Sequence, residues 1–150
     1  MENKGKTATM VKVLLLESNP SFRQALATFL KSHFPSIRLE VALTVKEGMD
    51  SIGTFLPHLI LLDFKLSDGT GLDFTRWLKT HHPAVKVVLL SSNGSSEYRQ
   101  AAYTCGIDYF LLKESPPEDY LGLLEWILAG LDGTATSGLG SSDGTDPKIQ

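Results

Sequence analysis

Short apolar runs recur along the chain, separated by stretches in which apolar residues return every three or four positions. Met10 to Leu16 is the first run, and Glu17-Ser18-Asn19-Pro20 stops it. Phe22, Ala25, Leu26, Phe29 and Leu30 then fall at helical spacing. They predict a helix from Pro20 to residue 33, capped by Ser18 or Asn19 and ended before Pro35. Ile37, Leu39 and Val41 alternate with Arg38 and Glu40, the pattern of a strand with one wetter face, as at a sheet edge. Thr44-Val45-Lys46-Glu47 reads as a capping box, and Val45, Met49 and Ile52 continue a short helix until Gly53 and Pro57.

His58-Leu59-Ile60-Leu61-Leu62-Asp63 is the most informative stretch: four consecutive aliphatics, then one carboxylate. No polar side alternates with the apolar one, so the run suits a strand buried on both faces of a parallel sheet. Beyond the Ser67-Asp68-Gly69-Thr70-Gly71 turn, Leu72, Phe74, Thr75, Trp77 and Leu78 predict a third helix closed by His81-His82-Pro83. Val85 to Leu90 repeats the buried-strand signature and ends in Ser91-Ser92-Asn93-Gly94. A more polar helix over residues 95–104 stops at Gly106, Ile107 to Leu112 forms a fifth strand ending at Lys113, and Pro116-Pro117 opens a last helix through Leu128.

Strands alternating with helices in this way require a parallel sheet covered on both faces, the doubly wound α/β class. Residues 1–9 read as a flexible arm and residues 10–130 as one domain. Residues 131–150 are rich in glycine, serine, threonine and aspartate. Their few apolar groups are too sparse to offset ordering entropy, so they read as a flexible tail or a truncated linker.

Composition changes this picture little. The 42% hydrophobic and 21% charged fractions are ordinary for a globular chain, and a net charge of −3 gives no reason to expect direct nucleic-acid or membrane binding. Cys105 alone excludes an internal disulfide, which fits a reducing, cytoplasmic setting, and the residue reads as a small buried group. The four histidines have no catalytic spacing. Trp77 and Trp126 fall on apolar helical stripes, while Tyr98, Tyr103 and Phe110 stay open between a partner surface and a partly covered core.

The chemistry gathers at the carboxyl ends of the strands, where open α/β sheets bind ligands. Glu17 and Ser18 follow the first strand, Asp63 the third, Ser91 the fourth and Lys113 the fifth. Two acids beside a hydroxyl and an ammonium suit a Mg²⁺ and phosphoryl pocket, with Asp63 as the nucleophile that forms an acyl phosphate.

The ordered set Asn19-Pro20, Leu61-Leu62-Asp63 with Asp68-Gly69, Ser91-Ser92, and Gly106-Ile107-Asp108-Tyr109-Phe110-Leu111-Leu112-Lys113 resembles the receiver domain of two-component response regulators. Ser91 and Lys113 stand 28 and 50 residues beyond Asp63, close to the family's spacing. The resemblance implies a flavodoxin-like three-layer fold with sheet order 2-1-3-4-5. It implies that Asp63 takes a phosphoryl group from a histidine kinase or phosphotransfer protein, that Lys113 pairs with the phosphate and that Ser91 hydrogen-bonds it. Glu17, Asp63 and the Lys65 backbone carbonyl would hold Mg²⁺, and the Lys65 and Asn93 side chains would flank the path of attacking water. Ser91 and Phe110 stand at the hydroxyl and aromatic switch positions, the ring moving inward on activation. The output surface would be the face of the fourth helix, fifth strand and fifth helix, meeting a downstream protein, with a homodimer as an option. The domain itself would be a signalling element and not an enzyme.

Ser18 departs from that pattern, because the family usually has a second acid there that touches the metal directly. A lost carboxylate weakens Mg²⁺, which motivates an alternative: a phosphorylation-independent, pseudo-receiver interaction module. A flavodoxin-like nucleotide or flavin binder is disfavoured, since Glu17-Ser18-Asn19-Pro20-Ser21 has no glycine and carries an acid where a phosphate cradle is needed.

Overall fold

The computed structural model describes residues 10–131. The expected arm at 1–9 and all but the first residue of the expected tail lie outside the described residues, and Leu131 is the last residue of a helix rather than the start of the tail. The elements are β1 (Lys12–Leu16), α1 (Pro20–His33), β2 (Arg38–Ala42), α2 (Val45–Phe55), β3 (Leu59–Asp63), β4 (Lys65–Leu66), β5 (Gly69–Thr70), α3 (Gly71–His81), β6 (Lys86–Ser91), α4 (Ser96–Cys105), β7 (Tyr109–Leu112) and α5 (Pro117–Leu131).

Five strands form one parallel sheet in the order β2-β1-β3-β6-β7. Counting only the strands of this sheet, that is the doubly wound order 2-1-3-4-5. Every residue of β3 is buried, as its unbroken aliphatic run requires at the centre of a sheet covered on both sides. Successive side chains of a strand point to opposite faces, so the sheet divides the core in two. Val13, Leu15, Leu59, Leu61, Val88, Leu90 and Leu111 pack with Leu26 and Leu30 of α1 and Leu123, Leu124 and Ile127 of α5. Leu14, Leu16, Ile60, Leu62, Val87, Leu89 and Phe110 pack with Ile52, Phe74, Leu78 and Ala102 of α2, α3 and α4.

The local signals act as chemistry dictates. Asn19 caps α1 by accepting from Phe22 N at 2.9 Å, with Pro20 in the first turn where its missing N–H costs nothing. Thr44 caps α2 by accepting from Glu47 N at 3.1 Å, while Glu47 reaches back to Leu43 N at 2.8 Å, one residue further than a capping box requires. Asp68 accepts from Val45 N and Lys46 N, binding the loop after β3 to the amino end of α2. Gly106 ends α4 at φ 112°, in the left-handed region that glycine enters without penalty. β2 is an edge strand, and its Val41 is 41% exposed.

The loop after Asp63 holds one feature without periodicity: β4 and β5 form a two-residue antiparallel ladder, Lys65 against Thr70 and Leu66 against Gly69. This hairpin brings Gly71 back onto β3. Gly71 N donates to Phe64 O at 2.6 Å, and a Cβ at residue 71 would collide with the Asp63 carbonyl oxygen and press on Leu89.

Candidate functional site at the strand ends

β1 and β3 are neighbours, and the chain leaves β1 towards one sheet edge and β3 towards the other. A crevice therefore opens at their carboxyl ends. Glu17 stands just past β1, Asp63 ends β3, Ser91 ends β6 and Lys113 follows β7. Backbone pairing fixes their depth: Glu17 N donates to Ala42 O at 3.1 Å, Phe64 N to Leu90 O at 3.1 Å and Lys113 N to Ser91 O at 2.9 Å. Tyr120 of α5 adds a hydroxyl donated to Lys113 O at 3.0 Å.

The side chains then meet. Lys113 Nζ lies 3.0 Å from Asp63 Oδ1 and donates to Glu17 Oε2 at 2.9 Å. Glu17 Oε2 also accepts from Asn19 N at 3.1 Å, whereas its other oxygen, Oε1, is buried without a hydrogen-bond partner among the described residues. Ser18 Oγ is 3.0 Å from Asp63 Oδ2 and 3.2 Å from the Lys65 carbonyl oxygen, two acceptors for one hydroxyl proton.

Burial sets the charge states. Glu17 has no exposed surface, and this desolvation holds its carboxyl above the usual range despite the hydrogen bonds from Lys113 and Asn19. Asp63 is 5% exposed, and burial pushes it the same way. The Lys113 ammonium above all, with the Ser18 hydroxyl, outweighs that and holds it below the usual carboxylate range. Burial also works against the Lys113 ammonium, but the bonds to both acids win and hold its pKa up. A proton entering the cluster thus goes to Glu17 first, and Asp63 stays an anion.

Asp63 faces an open cleft of about 540 Å³ whose wall includes Ser18, Lys65, Ser91, Asn93 and Lys113. Glu17 is not part of that wall. Ser91 Oγ accepts from Asn93 N at 3.0 Å and is 3.3 Å from Asn93 O, so the hydroxyl is occupied within its own turn. Phe110 lies behind the cleft, 2% exposed, with the Arg99 guanidinium 4.5 Å above its ring. Tyr98 joins this group: its ring meets Phe64 edge-on at 4.7 Å and Phe110 at 5.9 Å. Tyr103 and Trp126 are exposed, Trp126 lying against Tyr109, and Cys105 is buried. Gly71 and Tyr98 are the residues that sequence reasoning left out of the site. The Gly69-Thr70-Gly71 repeat of glycines was the available signal for the first; no spacing marked the second.

The sheet order and an acid, a hydroxyl and an ammonium on separate strand ends define a doubly wound protein with a carboxylate set beside a cation. Residues 13–125 match the family described as the response regulator receiver domain, and the chain belongs to that family. It is 35% identical over 104 residues to the KDP operon transcriptional regulatory protein KdpE of Escherichia coli, covering 69% of this chain and 45% of that protein. It is 29% identical over 118 residues to the transcriptional activator protein ExaE of Pseudomonas putida, covering 79% of this chain and 55% of that protein. The chain thus spans about half the length of these relatives. Among solved structures, a CheY-like response regulator receiver domain protein from Methanospirillum hungatei superposes with a TM-score of 0.73 at 22% identity, covering 81% of this chain and 96% of that one. A LuxR-family two-component response regulator from Aurantimonas gives 0.74 at 20% identity, over 81% of this chain and 87% of that one. At such identities the likeness speaks for the fold. Among the described residues no helix is long and apolar enough to cross a membrane.

Proposed function

We propose that Asp63 accepts a phosphoryl group from a phosphohistidine on a histidine kinase or phosphotransfer protein, and that the domain signals through a changed protein-binding surface. The carrying observation is Asp63 Oδ1 held 3.0 Å from Lys113 Nζ at an open cleft, with the carboxyl kept ionised. An Asp63 carboxylate oxygen attacks phosphorus, the P–N bond breaks and imidazole leaves with its electron pair, taking a proton. The product is an acyl phosphate. Lys113 is within reach of the added charge, and Ser91 can redirect its single proton to a phosphoryl oxygen.

The donor set suits a hydrated Mg²⁺. Glu17 Oε1 is a carboxylate oxygen without a hydrogen-bond partner among the described residues, and Asp63 Oδ2 and the Lys65 carbonyl oxygen both face Ser18 Oγ, at 3.0 and 3.2 Å, so these two would share an ion that took the place of that hydroxyl's proton. Among the described residues no group of three or more His, Cys, Asp or Glu is arranged for a metal, so water would complete the shell, as Mg²⁺ tolerates. When bound, the ion neutralises charge on phosphoryl oxygens. The surface that reads out the change is the α4, β7 and α5 face, which carries exposed Tyr103 and Trp126; a downstream protein or a second copy would meet it. In this reading the domain is a cytoplasmic phosphoacceptor and not an enzyme acting on an outside substrate.

Incubation with acetyl phosphate and Mg²⁺ should add one phosphoryl group by mass, and Asp63→Asn should abolish it. No adduct with acetyl phosphate or a phosphohistidine donor rejects the proposal. One observation favours a second reading, a phosphorylation-independent interaction module: Ser18 Oγ sits between two of the expected metal oxygens. Calorimetric titration separates the two, since tight Mg²⁺ binding removes the reason for the second.

A further inference from the structure

Tyr98 carries a hydroxyl for which no hydrogen-bond partner is found among the described residues. It stands in the first turn of α4, where its N–H is tied to the Ser95 cap at 3.2 Å, and its ring is wedged between Phe64 and Phe110. Phe64 follows the phosphoacceptor directly, and Phe110 is the aromatic of β7. Held from both sides, the ring presents a hydroxyl that is sealed from solvent and without a hydrogen-bond partner. Buried hydroxyls almost always have one, so an orphan asks for a state in which it is satisfied.

The neighbour that can satisfy it is Ser91. Burial pushes the Tyr98 hydroxyl up to about 12, with Ser91 drawing it part of the way back and the Asp63 charge adding to the rise. It is a neutral donor at neutral pH. A serine hydroxyl has one proton and two lone pairs; Ser91 spends its proton on Asn93 O and one lone pair on Asn93 N. Phe110 has no hydroxyl to offer.

We propose that Tyr98 is a positioning residue that couples an anion on Asp63 to α4: when Ser91 turns its proton to the anion, its second lone pair is re-aimed and accepts the Tyr98 hydroxyl, tying the first turn of α4 to the end of β6. This rests on the phosphoacceptor reading of Asp63. One Ser91-to-Asn93 hydrogen bond is lost, one to the anion and one from Tyr98 are gained, and no proton leaves its group.

The test uses the full chain with beryllium fluoride and Mg²⁺ as a stable phosphoryl stand-in. Fluorine NMR reports the adduct, and amide exchange reports residues 96–105. Tyr98→Phe keeps both ring contacts and removes only the orphan group, so it folds. In the wild type the adduct slows exchange across 96–105 about fivefold, the scale of one hydrogen bond, and in Tyr98→Phe it forms with less than about a twofold effect. On a Ser91→Ala background, Tyr98→Phe leaves adduct-state exchange unchanged. An equal slowing in wild type and Tyr98→Phe overturns the coupling while leaving Asp63 as acceptor. A further loss on the Ser91→Ala background overturns the route through Ser91. Absence of the adduct from every protein overturns the acceptor reading and the coupling together.

Discussion

Ser18 Oγ donates to Asp63 Oδ2 at 3.0 Å, so the residue standing where the family usually has an acid is bonded to the proposed phosphoacceptor itself. The hydroxyl can also turn to the Lys65 carbonyl at 3.2 Å. It bridges, with a proton, oxygens that a cation would bridge with charge.

Replacing this hydroxyl by a carboxylate should reverse that balance. Ser18→Asp is expected to tighten Mg²⁺ by about tenfold or more, since unit charges about 4 Å apart interact by roughly 4 kcal/mol at an effective dielectric near 20. Without metal the same variant should melt lower than wild type, because three carboxylates then face one ammonium. Titration calorimetry and melting curves with and without Mg²⁺ check both; an unchanged affinity would show that Ser18 does not limit the metal site.

Lys113→Ala leaves Glu17 and Asp63 buried without their cation. Breaking a buried pair from one side costs about 3–5 kcal/mol, and a loss towards that size is expected at neutral pH. Adding Glu17→Gln should recover part of it by removing one of the two anions. Urea unfolding of the single and double variants provides the measurement, and a double variant no more stable than Lys113→Ala contradicts the account.

The two acids should give stability slopes of opposite sign. Asp63 is held below its ordinary 3.8, so its contribution is present above that pH and is lost as pH falls through the folded value. Glu17 is held above its ordinary 4.5, so its contribution is present below that pH and is lost as pH rises through the folded value. The wild-type advantage over Asp63→Asn should therefore shrink on acidification, and that over Glu17→Gln should grow. Unfolding free energies from about pH 3 to 7 test this, and slopes of the same sign would contradict it.

Gly71→Ala should damage the site from behind. The new methyl meets the Asp63 carbonyl oxygen and Leu89, which forces a backbone shift costing about 1–3 kcal/mol. Phosphorylation by acetyl phosphate should slow along with the loss of melting temperature. A variant that melts lower but reacts at the wild-type rate would show that the carboxylate is positioned independently of this contact.

Much of this was legible because the strands are short and their patterns unmixed. Leu59 to Leu62 could only be a two-sided strand, and the order of strands and helices then placed Asp63, Ser91 and Lys113 on one rim. Asn19, Thr44 and Gly106 bounded helices through chemistry confined to a few neighbours. What was not legible depends on contacts between distant segments. The β4 and β5 hairpin spans too few residues for any period to show. Val41 alternates correctly yet is exposed, because alternation does not say whether a helix covers that stretch of the edge. Tyr98 sits on a weakly amphipathic helix, so its position between Phe64 and Phe110 became visible only once α4 was laid against β7. That Ser18 binds Asp63 directly was equally hidden, since 45 residues separate them.

β7 lies at the margin of the sheet, paired on one side alone, and the residue immediately after it supplies the positive charge that keeps Glu17 and Asp63 together. A transient peeling of that outermost strand would carry the charge away and leave two acids confronting each other without a cation between them. The charge balance of the strand-end cluster and the zipped state of the sheet's rim are therefore one cooperative property, and whatever grips or loosens that rim from outside also shifts the balance at its centre.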